Sequence, residues 1–88
     1  MIMADDMTLG RMENVRQNLK KLRRMQTPPL TQKRLAEKLG YSRGTYASYE
    51  TGRRRFSAEF LLDAADYFGI SVETLCDREM SAGRYRRE

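Results

Sequence analysis

The side chains best suited to chemistry in this sequence are guanidinium groups. Arg43 begins a short segment of small residues, and three consecutive arginines, Arg53–Arg55, follow ten residues later. A guanidinium presents its donors as a planar fork and keeps its charge, so it suits phosphates and paired hydrogen-bond acceptors. This pattern therefore indicates the recognition of an anion.

Charge is distributed unevenly along the 88 residues, whose formal net charge is +5. Residues 11–31 and residues 32–56 each sum to +5, whereas residues 57–77 contain five acidic and no basic side chains. A polyanion would therefore be attracted to the first half of the chain and repelled by its third quarter. The alternative is that these charges form ordinary solvated faces.

The composition argues against several classes of function. With no histidine and one cysteine, Cys76, neither a common zinc site nor a histidine-dependent catalytic group is expected. The sequence has no paired acid and base, no glycine-rich phosphate loop and no nucleophile beside a base, so we expect no enzyme, no metal and no cofactor. No apolar run approaches the roughly 20 residues of a membrane span, and the N-terminus lacks the basic start of a signal peptide. A cytoplasmic protein without a membrane partner is expected.

Hydrophobic periodicity and capping residues predict five helices and no strand, which is an all-α fold. The predicted helices span residues 11–25, 32–39, 43–49, 58–68 and 72–76. Their predicted N-caps are Thr31, Ser42, Ser57 and Ser71, and their predicted terminating glycines are Gly40, Gly52 and Gly69. We expect a flexible leader at 1–10, one domain at 11–77 and a flexible basic tail at 78–88.

The helix at 43–49 has two contrasting faces when its residues are spaced at about 100°. Its outer arc, about 140° wide at that spacing, holds Arg43, Gly44, Ala47 and Ser48. Tyr46 and Tyr49 lie on the other side and are the expected core anchors. A bare face lets a backbone approach another surface closely, and the DNA major groove, about 12 Å wide, accepts such a helix. The alternative is that the small residues have no function.

The segment LTQKRLAEKLGYSRGTYASYETGRRRFSAEFLLDAADYFGISVETLC resembles the lambda-repressor-like (Cro/XRE-type) helix-turn-helix family. The resemblance covers about residues 12–76. It implies a compact five-helix DNA-binding domain that contains a helix-turn-helix, with helix 43–49 as the recognition helix in the major groove. It also implies a sequence-specific, repressor-like transcriptional regulator of bacterial or phage origin.

The resemblance assigns roles to residues by their position. The residues matched to base contacts are Arg43, Gly44, Ala47 and Ser48. The residues matched to phosphate contacts are Gln32, Thr45, Arg53, Arg54, Arg55 and Arg23. The residues matched to structural roles are Glu50, Tyr46 and Tyr49. Glu50 is expected to pair with Arg23 and so to hold the first helix against the third.

The expected partner is double-stranded DNA, bound by a homodimer, because one such domain reads only a few base pairs. Candidate residues for the dimer interface or the core are Ile70, Val72, Leu75 and Tyr85. The alternative function is an antitoxin or a protein-interaction adaptor that uses the same fold and has a protein partner. The arginines at 53–55 argue against it, because burying them unpaired would be costly.

The chain departs from the family pattern at three places. The turn MQTPPL is about two residues longer than usual, so the sequence does not determine the course of the chain from the first to the second helix. Phe56 stands where the family often has proline. Gly44 and Ala47 offer no hydrogen-bonding side chain, so base readout would depend on Arg43, Ser48 and DNA shape.

Overall fold

The computed structural model describes the backbone of residues 3–81 and the side chains of residues 10–81. Its five helices are α1 (Met3–Arg24), α2 (Gln32–Leu39), α3 (Arg43–Thr51), α4 (Ala58–Phe68) and α5 (Val72–Leu75). No strand occurs between residues 3 and 81, and the predicted all-α, five-helix fold is confirmed. Residues 82–88 of the predicted tail, with Tyr85, lie outside the described part of the chain.

Four predicted helix ends are wrong, two of them by a single residue, since α1 ends at Arg24 rather than at residue 25 and α5 ends at Leu75 rather than at residue 76. The first helix begins at Met3 rather than at residue 11, because no proline interrupts residues 3–10 and the glycine at position 10 costs a helix only about 1 kcal/mol. The third helix continues to Thr51 rather than ending at residue 49. The Thr51 hydroxyl donates to the carbonyl of Ala47 at 2.8 Å, within that last turn. The division into leader, domain and tail stays a prediction.

The predicted caps are confirmed, and they explain why the connections are short. Each of the four N-cap hydroxyls accepts a hydrogen bond from the backbone N–H three residues later. Gly40 and Gly52 end α2 and α3 at φ values of 84° and 85°, a conformation that other residues adopt only with strain. Local residues thus determine where α2 and α3 begin and end.

The core forms where the apolar faces of all five helices meet. Its fully buried members are Val15, Leu19, Leu22, Leu35, Ala36, Tyr46, Phe60, Ala64 and Leu75. Burying one large apolar side chain contributes about 1.5–3 kcal/mol, so this cluster supplies much of the driving force for folding. Met80 is also buried, at 8% exposure, although it lies within the predicted flexible tail.

Phe56 links the arginine-rich loop to this core. Its ring stacks on Tyr49 with centroids 5.5 Å apart and on Phe60 at 5.7 Å, and Tyr49 stacks on Phe60 at 4.2 Å. Aromatic pairs at such distances contribute about 0.5–1.5 kcal/mol beyond the area that they bury. Phe56 therefore anchors the loop by packing, at a position where the family often has proline.

The long turn between α1 and α2 folds back onto the end of α1. The backbone N–H of Leu30 donates to the carbonyl of Arg23 at 3.0 Å. The guanidinium of Arg23 donates in return, from Nη1 to the carbonyl of Leu30 at 2.9 Å. These two bonds fix the path that the sequence left open.

Two asparagines of α1 bind the end of α5. The side-chain amide of Asn18, which is 1% exposed, donates to the carbonyls of Leu75 and Asp77, each at 2.8 Å. Asn14 donates to the carbonyl of Cys76 at 3.0 Å. Side chains of α1 thereby bind the carbonyls of the last residue of this short helix and of the two residues that follow it.

Asn18→Leu keeps the branched shape of the side chain and removes both amide donors. We expect it to lower the free energy of unfolding by about 1–3 kcal/mol, because the buried carbonyl of Leu75 loses its donor. Urea unfolding followed by circular dichroism measures the change. Asn14→Leu, at a partly exposed position with one such bond, is the matched control and should cost less than half as much. Equal losses would contradict the role given to Asn18.

Candidate nucleic-acid interface

The candidate interface is built on α2, α3 and the three-residue turn between them. The backbone N–H of Tyr41 in this turn donates to the carbonyl of Ala36 at 2.9 Å. The Tyr41 hydroxyl donates to Asp63 of α4 at 2.8 Å. The turn is therefore fixed both to α2 and to the helix behind it.

The outer face of α3 is bare. Arg43 and Gly44 are exposed, and Ala47 and Ser48 are half-buried, whereas Tyr46 is fully buried. A Cβ at Gly44 would meet no atom within 4 Å, and Gly44 has no positive φ. The fold therefore does not require glycine here, which leaves close approach of another molecule as a reason for it. Contact of these four residues with DNA bases stays a prediction.

The hydroxyl groups of α3 are partly engaged with its own backbone. Ser48 Oγ donates to the carbonyl of Gly44 at 2.9 Å and keeps its lone pairs free to accept. Thr45 Oγ1 accepts from the Ser42 hydroxyl at 2.9 Å, which leaves its own proton free to donate. Thr45 can thus donate to a phosphate oxygen, whereas Ser48 is better arranged to accept from a base.

Arg53, Arg54 and Arg55 form an exposed loop directly after α3. None of them forms an ion pair with a side chain that the structure describes. The backbone N–H of Arg54 donates to the carbonyl of Ser48 at 3.2 Å, which ties the loop to the last turn of the helix. Three exposed arginines are therefore held next to the end of the bare face.

Glu50 is the buried centre of the site, with 3% exposure. Arg23 of α1 contacts it as a fork, with Nε to Oε2 at 3.0 Å and Nη2 to Oε1 at 2.9 Å. Tyr46 donates its hydroxyl to Oε2 at 2.6 Å, and Gln32 donates its amide to Oε1 at 2.9 Å. The pair expected between Glu50 and Arg23 is present, and Gln32 and Tyr46 join it.

The protonation states of this group are well defined. Burial raises the pKa of Glu50, but its hydrogen bonds from Arg23, Tyr46 and Gln32 outweigh that effect and hold the pKa below its ordinary 4.5. Burial and the negative charge of Glu50 raise the pKa of Tyr46 far above its usual value. Glu50 is thus ionised and Tyr46 is a neutral donor at neutral pH.

The predicted phosphate contacts differ in how accessible they are. The Arg23 side chain is only 11% exposed, and three of its donors already serve Glu50 and Leu30. Gln32 is half-buried and uses one amide donor on Glu50. Each keeps donors for a phosphate, but at the edge of a buried network rather than as a free surface group.

Arg16, which is not among the predicted site residues, lies beside the site. The guanidinium of Arg16 packs on Gly52, with Cζ 3.1 Å from the place where a Cβ of residue 52 would stand. Arg16 precedes Arg23 by seven residues, which is about two helical turns, so both project from the same side of α1. That spacing is the signal in the sequence that could have identified Arg16.

Among the residues that the structure describes, no three His, Cys, Asp or Glu side chains are grouped so that they could hold a metal ion. Within that same part of the chain, every helix is too short or too polar to cross a membrane.

Comparison with known proteins agrees with this geometry. The family described as "Helix-turn-helix" matches residues 19–75. A Bacillus subtilis (strain 168) protein described as the uncharacterized HTH-type transcriptional regulator YqaE is 32% identical over 72 residues. That match covers 82% of this chain and 60% of the relative, so the chain spans well under the full length of that relative. No solved structure matches significantly.

Glu50→Gln removes the buried charge and leaves the guanidinium of Arg23 without its anion. We expect a loss of about 3–5 kcal/mol in the free energy of unfolding at pH 7. Because the folded-state pKa of Glu50 is depressed, its stabilisation is present above the ordinary carboxyl pKa and is lost as the pH falls through the folded value. The difference between the two proteins should therefore shrink below about pH 4.

Urea unfolding from pH 3 to pH 8 measures both effects. Glu37→Gln is the matched control, because Glu37 is exposed and stands 3.9 Å from Arg34. Such a surface pair contributes about 0–1 kcal/mol, so this variant should follow the wild type. A Glu50→Gln loss that does not change with pH would contradict the ionised state assigned to Glu50.

Proposed function

The chain belongs to the lambda-repressor-like (Cro/XRE-type) helix-turn-helix family, and from that premise we propose that it is a sequence-specific, DNA-binding transcriptional regulator of the repressor type. The supporting observation is the bare outer face of α3, which is followed by three exposed arginines and is held from behind by buried Glu50. Family membership indicates a DNA-binding regulator rather than an enzyme, and it implies a cytoplasmic location.

In this proposal α3 enters the major groove. Arg43 stands at its first turn and carries the long side chain of the outer face, so it is the candidate for a bidentate contact to guanine O6 and N7. Ser48 accepts from a base amine, and Ala47 contacts a thymine methyl group. Gly44 lets the backbone come close to the base edges.

The DNA backbone is held on both sides of α3. Arg53, Arg54 and Arg55 grip phosphates at one end, while Gln32 and Thr45 donate to phosphates from the starts of α2 and α3. Arg23 contributes its remaining donors beside Gln32. The Glu50 network orients the donors of Arg23 and Gln32 before DNA binds, which lowers the entropy lost on association.

A homodimer is the expected binding form. One domain reads few base pairs, and two domains on half-sites about one helical turn apart, about 34–36 Å, supply the missing specificity. The proposed dimer surface lies on α4 and α5, whose acidic residues would be repelled by DNA. Leu62, 62% exposed on α4, is an apolar side chain available for such a contact.

Selection from a random duplex pool at two salt concentrations tests the proposal. We expect a palindromic motif whose two halves are about 10 base pairs apart. No motif, together with binding that vanishes by about 150 mM salt, would reduce the basic face to a generic polyanion surface. The antitoxin or adaptor function would then be the better explanation, and pull-down of a protein partner would follow.

Arg43→Ala should lose base preference at one position of each half-site, by about 1–3 kcal/mol, and should leave the salt dependence nearly unchanged. Selection and titration with matched duplexes measure the two quantities. Arg34→Ala removes an arginine from the exposed face of α2 and is the control. An unchanged motif with Arg43→Ala would exclude Arg43 from base readout.

Gly44→Ala adds one methyl group, which should change the stability of the fold and the affinity for DNA in opposite directions. The added methyl group meets no atom of the protein, so we expect the free energy of unfolding to rise by about 0.5–1 kcal/mol. The same methyl group should crowd the base edges and weaken specific binding by about 1–3 kcal/mol. Thermal unfolding measures the change in stability, and titration with DNA measures the change in affinity. A variant that gains both would refute the close approach of the α3 backbone to the base edges.

A further inference from the structure

A cleft of about 550 Å³ separates α1 from the loop that follows α3. Its lining residues are Met12, Glu13, Arg16, Thr51, Gly52, Arg54, Arg55 and Phe56. Two of the three arginines of the proposed phosphate-gripping loop therefore share this cleft with Arg16. The cleft thus extends the cationic surface from the end of α3 onto α1.

The position of Arg16 is defined by Gly52. A Cβ at residue 52 would stand 3.1–3.2 Å from three atoms of the guanidinium, namely Cζ, Nε and Nη1. Because residue 52 has no Cβ, the guanidinium can lie against the backbone at the end of α3. The position of the Arg16 guanidinium is therefore restricted by this contact, unlike that of a freely rotating surface side chain.

An acid of the same helix holds Arg16 in the unbound protein. Glu13 forms an ion pair with Nη2 of Arg16 through Oε1, and its other oxygen accepts from Gln17 at 3.0 Å. The side chains of Arg16 and Glu13 are 29% and 45% exposed, so an anion from solvent can reach both. Arg54 and Arg55, in contrast, have no carboxylate partner among the side chains that the structure describes.

We propose that Arg16 is a further contact to the DNA backbone, and that a phosphodiester group replaces Glu13 as its anion when DNA binds. The inference rests on the proposed function, since it extends the surface of the same site. A phosphodiester carries the charge and the oxygen pair that a guanidinium fork accepts, and Arg54 and Arg55 attract it to the same cleft. Glu13 is then a competitor that restrains binding.

Titration of a selected operator duplex over a range of salt concentrations tests the contact. Arg16→Gln should weaken binding and reduce the slope of log K against log salt by about 0.9, the value for one lost phosphate contact. Arg16→Lys should keep most of the slope. Arg11→Gln is the matched control, because it removes the same charge from α1 at a position near Cys76 rather than at the cleft.

Glu13→Gln provides a second variant that leaves Arg16 intact. It should raise affinity about two- to fivefold, as expected for removal of a competing surface ion pair. That gain should fall when Arg16→Gln is also present, because the acid then has no cation to compete for. Thermal unfolding of every variant confirms that each one is folded.

The outcomes separate the two proposals. If the wild-type chain selects no operator, the proposed function fails and the contact of Arg16 fails with it. If the wild type binds and Arg16→Gln behaves like Arg11→Gln, the proposed function stands and the Arg16 contact is overturned. Equal gains from Glu13→Gln with and without Arg16 would overturn the competition.

Discussion

The arrangement of the site depends on one buried carboxylate. Glu50 accepts hydrogen bonds from Arg23 of α1, Gln32 of α2 and Tyr46 of its own helix, so three helices meet at one charge. A buried ion pair adds little net stability compared with apolar packing, because both charges lose their hydration. Its contribution here is orientation, since the directional bonds allow few relative positions of these helices.

The two faces of α3 differ, because the inner face packs into the core and the outer face is exposed or half-buried. Its inner face carries aromatic and charged groups that fix the helix to the core, while its outer face carries small residues and one long side chain, Arg43. The hydroxyls of Ser48 and Thr51 bond back to carbonyls of the same helix, which leaves a smooth surface with few donors. The cationic donors of this surface are therefore concentrated in Arg43 and in the loop that follows α3.

Phe56 shows how packing can replace a rigid backbone. A proline would stiffen the chain after the arginine loop by fixing φ. Phe56 instead stacks against both Tyr49 and the α4 ring of Phe60. The loop that carries three like charges is thereby held at its end by apolar contact, which offsets their mutual repulsion. The result is a cationic loop of defined position next to α3.

The sequence by itself determined the helices, their caps and the two faces of α3, because these depend on interactions within about one helical turn. It missed the start of α1, where no residue signals a boundary, and the burial of Met80.

Only the tertiary structure decided which side chains meet: Asn18 with Leu75, 57 residues apart, Gln32 with Glu50, and Arg16 with Gly52. Such contacts depend on how whole helices pack, which no local pattern contains. The Arg23–Glu50 pair, 27 residues apart, was expected only through the family resemblance.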